Sequence, residues 1–189
     1  ALAIPNEFLS FGSPALGFIA LIPLYLAISK SNSYKEAAAL NALHVITVHL
    51  ASSFWLANFK DFAVFTLGAS ALGTGVIGAA FGLLLYFPYS YLKTTQNLRT
   101  NSLMPSIKIL YFACVWVIWE WTKSNGFLGY PWGTLSMSAY KAKCLIQIAD
   151  ITGALGISFL MALFAATIGE GLLLINTCRI NYSSDYKKI

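Results

Sequence analysis

Charge is what this chain has least of. Only 10% of its 189 residues are charged, seven acidic against twelve basic, where a soluble domain carries roughly 25%. That leaves too little polar surface to cover a water-facing globule, so the covering is expected to be lipid. Cysteine is scarce and unpatterned. Cys114, Cys144 and Cys178 are odd in number and far apart, and they form no CxxC pair, which argues against a disulfide framework or a zinc ribbon. Cys114 and Cys178 fall in or at the ends of apolar runs and read as small packing residues. No Ser or Cys has a recognisable base beside it, no spacing suits a metal, and no glycine loop opens a helix after a strand. Catalytic residues, metal and cofactor are therefore each read as none. The chain opens on Ala1, with no charged segment leading into a small-residue cleavage site, so no intact signal peptide is expected.

What is present is apolar and aromatic: 58% hydrophobic and 15% aromatic residues, with a mean hydropathy of +0.69. These figures predict an all-α fold, a polytopic transmembrane bundle of about five or six helices making one domain over residues 1–189. The candidate spans are 15–29, 36–59, 62–92, 107–122 and 153–178. Pro23 lies inside the first, where a kink is tolerated if neighbouring helices satisfy the freed carbonyl. Phe87, Tyr89 and Tyr91, with Pro88, read as an aromatic belt ending the third. Within that span Ala71, Gly75 and Ala79, and likewise Gly78 and Gly82, are small residues four apart, the spacing that lets two helices approach closely, here most simply inside the chain.

One stretch departs from plain packing. Residues 115–132 read VWVIWEWTKSNGFLGYPW, a helix end carrying one carboxylate, Glu120, among Trp116, Trp119 and Trp121. A turn and a Gly-Tyr-Pro-Trp corner follow. A carboxylate at membrane depth costs at least ~2.5 kcal/mol on insertion scales and therefore takes a partner or faces a cavity. Two readings stand: an interfacial carboxylate paired with Lys123 at i+3, or a polar anchor beside a lipid groove. Pro131 holds its own φ and pushes Tyr130 towards extended geometry, making the corner rigid. His44 and His49 sit about 140° apart on a helix and cannot act as an i,i+4 metal pair, so they read as packing histidines. Asp150 reads as a helix cap, and Glu170 as structural, near the basic tail.

The net charge of +5 does not point to nucleic acid, because the basic residues lie in short loops between apolar runs. Alternating those loops places Lys30, Lys35, Lys93, Arg99, Lys108, Arg179, Lys187 and Lys188 on one side. Lys60, Lys123, Lys141 and Lys143 fall on the other. The positive-inside rule then puts the loop after Glu120 on the non-cytoplasmic face.

Glu120-Trp121, Lys123, Gly129-Tyr130-Pro131-Trp132, Leu145-Ile146-Gln147 and the run Gly153, Gly156, Ser158, Phe159, Leu160 together resemble the membrane part of bacterial apolipoprotein N-acyltransferase. The resemblance implies a bacterial inner-membrane protein with the Tyr130-Pro131-Trp132 loop on the periplasmic side. In that family a nitrilase-like domain takes an acyl chain from a phospholipid and passes it to the N-terminal α-amine of a diacylglyceryl-cysteine lipoprotein. The nitrilase-like domain and its Glu-Lys-Cys triad have no counterpart in these residues, and Asp150 stands where the family more often has an apolar residue or Pro. The expected role here is to anchor that domain and line the substrate groove, with Glu120, Tyr130, Trp132, Trp119 and Lys123 as the substrate-binding residues. The expected partners are a phospholipid acyl donor, a lipoprotein N-terminus, the bilayer and the nitrilase-like domain, with no nucleic acid. Two alternatives come from other classes. A small transporter would bring His44, His49, Asp150 and Glu170 into one polar path. A structural subunit would dimerise through Gly75–Gly82.

Overall fold

The computed structural model describes residues 2–5, 10–58, 64–94, 103–125 and 129–186, and every regular element among them is helical. The α-helices are α1 Pro14–Ile19, α2 Ile22–Lys30, α3 Tyr34–Ser52, α4 Ser70–Thr94, α5 Met104–Ser124, α6 Lys143–Ile146 and α7 Ala149–Tyr186. A π-helical turn, Val64–Ala69, leads into α4, and 3-10 turns cover Phe54–Asn58 and Leu135–Ala139. The expected Lys60-Asp61 turn, the start of the 62–92 span, and Gly126 to Leu128 lie outside the described residues, as do the side chains of Lys93 and Arg99 and those of Lys187 and Lys188.

Local chemistry places the breaks. The expected 15–29 span is two helices, and Pro23 lies in the first turn of α2, where a missing N–H costs nothing. No kink is needed. Ser33 Oγ accepts from Glu36 N at 3.2 Å and Glu36 Oε2 accepts from Asn32 N at 2.8 Å, a variant of the capping box that starts α3. α3 ends at Ser52, earlier than the expected 59, and the chain tightens into its 3-10 turn.

Pro88 does not end α4; it lies inside the helix. A proline there frees the carbonyl four residues back, and Tyr111 Oη donates to that carbonyl, Leu84 O, at 3.0 Å. At the start of α7, Gly153 has φ +69 and ψ 179, which splits a first turn carrying Asp150 from the long helix.

The helices pack through small residues. α3 lies on α4, and a Cβ on Gly82 would come within 2.6 Å of Ala37 O. Gly78 meets Val45, and its carbonyl accepts from Asn41 Nδ2 at 2.7 Å. The glycine stripe is thus spent inside the chain. α5 packs on α7, where Ala162, Ala165 and Ala166 are buried, and Tyr25, Leu21, Ile28, Leu85, Phe112 and Met161 fill the core.

Two helical stretches among the described residues, Phe65–Leu92 and Ala149–Arg179, are long and apolar enough to cross a membrane. Their outer faces are apolar too: Leu72, Val76 and Ile175 are at least two-thirds exposed. The cysteines share that exposure, so Cys114 and Cys178 are not the packing residues expected.

Candidate functional site

The C-terminal half of α5 buries one face, Phe112, Ala113, Val115, Trp116, Trp119 and Glu120, because apolar side chains three and four positions apart share a helix face. Glu120 therefore points inward, 1% exposed. Its Oε1 accepts from Leu135 N at 2.7 Å and from Trp116 Nε1 at 3.2 Å. Ser158 of α7 flanks the same carboxylate, and its Oγ accepts from Ser136 N at 3.2 Å. Oε2 has no hydrogen bond.

Lys123 does not form the expected ion pair with Glu120. It is close enough to feel the carboxylate, yet its Nζ donates to Trp132 O at 2.8 Å. The ion pair recorded among the described residues is Lys108–Glu170.

The Gly129–Ala139 segment returns over this face and tucks its 3-10 turn between α1 and α7. Leu135, Ser138 and Ala139 are at most 5% exposed. Gly133 has φ +76, a backbone that favours glycine, and a Cβ there would come within 2.8 Å of Ser52 Oγ. Tyr130 N donates to Lys123 O at 2.7 Å and Tyr130 Oη to Ser53 Oγ at 3.0 Å. Its ring lies 5.2 Å from that of His49. Trp132 stays 44% exposed, edge-on to Trp55 at 6.1 Å.

Beneath this corner is a cavity of about 60 Å³, lined by Glu120, Lys123, Trp119, Trp132, His44 and His49 among others. That is room for a few waters beside several polar groups. Four of the five residues read as substrate-binding thus converge on one space. Tyr130 sits behind the wall, against His49. Sequence reasoning missed the two histidines as cavity residues. His44 Cβ and His49 Cβ face different directions on an ideal helix, but the cavity is wide enough to meet both. His49 Nε2 pairs with Ser70 Oγ at 2.9 Å, and the His44 ring stands edge-on to Trp116 at 5.8 Å. Ser52 and Ser53 were missed as well, since isolated serines at a helix end carry no sequence signal; Ser158 stood in the family-like run, but its place beside Glu120 was not legible.

The second carboxylate region lies elsewhere. Glu170 is 3% exposed and pairs with Lys108 Nζ, while Tyr25 Oη donates to its Oε2 at 2.6 Å. Its partner is thus Lys108 of α5, an α-helical residue and not a loop cation or the basic tail. Asp150 is exposed in the first turn of α7. The residues of the transporter reading therefore do not share one path. No group of three or more His, Cys, Asp or Glu among the described residues could hold a metal.

Fold and site define an all-helical domain with two membrane-length helices and a mostly apolar cavity carrying several polar groups under an exposed aromatic rim. The chain belongs to the family described as the apolipoprotein N-acyltransferase N-terminal domain, whose model matches residues 1–167. It is 47% identical over 172 residues to apolipoprotein N-acyltransferase 2 of Treponema denticola, covering 91% of this chain and 30% of that protein. It is 45% identical to apolipoprotein N-acyltransferase 2 of Treponema pallidum, with 91% and 29% covered. Identity to the apolipoprotein N-acyltransferase of Borreliella burgdorferi is 31%, with 91% and 30% covered. The chain thus spans about 30% of the length of these curated relatives. No solved structure matches it.

Proposed function

We propose that this chain is the membrane-embedded, substrate-presenting part of an enzyme of bacterial lipoprotein maturation in the inner membrane. The whole enzyme transfers an acyl chain from a phospholipid to the α-amine of the N-terminal diacylglyceryl-cysteine of a lipoprotein. The family match over residues 1–167 carries this reading. The bond-forming residues are assigned to a nitrilase-like domain beyond these residues, which fits the 30% share of the relatives' length.

Within the chain, the corner over the Glu120 cavity is the groove wall. Trp132 and Trp55 are exposed rings of the type that sits at a membrane interface. Lys123 spends one hydrogen bond on Trp132 O, leaving donors for a lipid phosphate oxygen. Trp119, at 3% exposure, forms the floor, Glu120 lines the cavity beneath, and Tyr130 backs the wall through His49. The corner faces the periplasm in this reading, supported by the excess of basic residues in the opposite loops. The apolar outer faces of α4 and α7 are covered by lipid.

The experiment is N-acyl transfer to a diacylglyceryl lipopeptide by the full-length protein in membranes. Trp132→Ala should lower kcat/KM by about tenfold or more while leaving thermal stability intact. An unchanged rate would remove the corner from the site, and absence of transfer by the unaltered protein would remove the enzyme reading.

A further inference from the structure

Residues 129–134 have no regular structure and residues 135–136 open the 3-10 turn, so the N–H groups of this corner must find partners elsewhere. Most come from side chains and backbone of the helices beneath. Tyr130 N uses Lys123 O, and Trp132 O takes Lys123 Nζ. Gly133 N lies 3.2 Å from Met137 Sδ, Leu135 N donates to Glu120 Oε1, and Ser136 N donates to Ser158 Oγ. Of these groups Leu135 N is the one met by a carboxylate. Leu135 is 5% exposed and lines the cavity beside Glu120, so without Glu120 its N–H is left to a cavity water, which ties the corner to no helix. A charged acceptor makes a hydrogen bond roughly twice as strong as a neutral one, and a buried site strengthens it further.

We infer that Glu120 is a positioning residue that fastens the Trp132 corner to α5, and does not itself touch substrate. The carboxylate is 1% exposed, its Oε1 accepts from the corner backbone and from Trp116 of its own helix, and Ser158 of α7 flanks it. What it holds is the register of residues 132–136, and through them the exposed Trp132 ring. A neutral amide oxygen at the same place keeps both bonds, each weaker than to a carboxylate, because the donors are a backbone amide and an indole rather than a cation. The inference rests on the proposed function only for its activity readout.

The test uses hydrogen exchange by mass spectrometry on the full-length protein in detergent, alongside acyl transfer. Glu120→Gln keeps an acceptor oxygen and should leave exchange across 130–140 and kcat/KM within about threefold of the unaltered protein. Glu120→Ala should raise exchange at Leu135 and Ser136 by about tenfold or more and lower kcat/KM, with exchange in α4 unchanged. If Glu120→Ala does not accumulate, Glu120→Asp, which withdraws the carboxylate by one methylene, is expected to show the same pattern. Native-like exchange in Glu120→Ala overturns the inference. So does a Glu120→Gln protein that exchanges normally yet loses transfer, since the negative charge itself would then be what substrate needs. If the unaltered protein transfers no acyl chain, the enzyme reading fails while the exchange arm still decides the fastening.

Discussion

Glu120 and Glu170 are both almost fully buried, at 1% and 3% exposure, and their environments differ in kind. Glu170 meets a cation and a phenol, Lys108 and Tyr25, brought by α5 and α2 to α7. Glu120 meets a backbone amide and an indole, while the nearby Lys123 turns away to a carbonyl. The first carboxylate joins helix to helix, and the second joins a loop to a helix. Twelve residues of α5, about 18 Å, separate Lys108 from Glu120, so the two attachments hold opposite parts of the bundle. A buried carboxylate is thus not by itself a mark of a site. Its partners tell whether it joins helix to helix or fastens a returning loop.

The sharpest way to break this contrast is at Lys108. Lys108→Ala strands the Glu170 carboxylate, and losing one partner of a buried pair costs about 3–5 kcal/mol. Thermal unfolding in detergent should show a large drop, and adding Glu170→Gln should recover much of it. A drop of under about 1 kcal/mol would mean that Glu170 is not held as a charge. At the other end, Gly133→Ala forces a side chain into positive φ against Ser52, a cost of about 1–2 kcal/mol. The loss should be visible as faster exchange confined to the corner; if exchange rises throughout α4, the corner is not a separable unit.

Tyr111→Phe removes the donor to Leu84 O beside Pro88, worth about 0.5–1.5 kcal/mol. The same change made in a Pro88→Ala background should cost less, because an alanine N–H now serves that carbonyl. Equal losses in both backgrounds would deny the Tyr111 hydroxyl this role. The smallest stability effect is expected at Trp132→Ala, under about 0.5 kcal/mol for an exposed side chain, even though transfer falls. A midpoint shift of several degrees would make Trp132 scaffold, not surface.

Much of the scaffold was legible. The low charge and long apolar runs called for helices, since only helices or closed barrels satisfy their backbone in lipid, and the glycine spacing pointed to a close helix contact inside the chain, which the structure places between α3 and α4. The candidate site was legible as a list: Glu120, Trp119, Lys123 and Trp132 stood out as costly or amphipathic residues near one helix end, and all four line the cavity. The pairing was not legible. Spacing at i+3 favours Glu120–Lys123, but the returning corner offered Lys123 a carbonyl and Glu120 an amide. Pro88 lay within the expected 62–92 span, and α4 does run through it; what was not legible is that Tyr111, far along the chain, satisfies the carbonyl it frees.

By itself the sequence determined the class: an all-helical chain too poor in charge for water, carrying the motif of its family around Glu120 and the Gly-Tyr-Pro-Trp corner. Those properties follow from composition and local spacing, which act over a few residues. Only the tertiary structure decided which carboxylate takes the cation, that His44 and His49 share a wall with Glu120, and that the corner folds back as a buried turn. Each of these is a contact between segments distant in the chain. Its energy depends on which donors and acceptors burial leaves without water, and no window of sequence contains that choice.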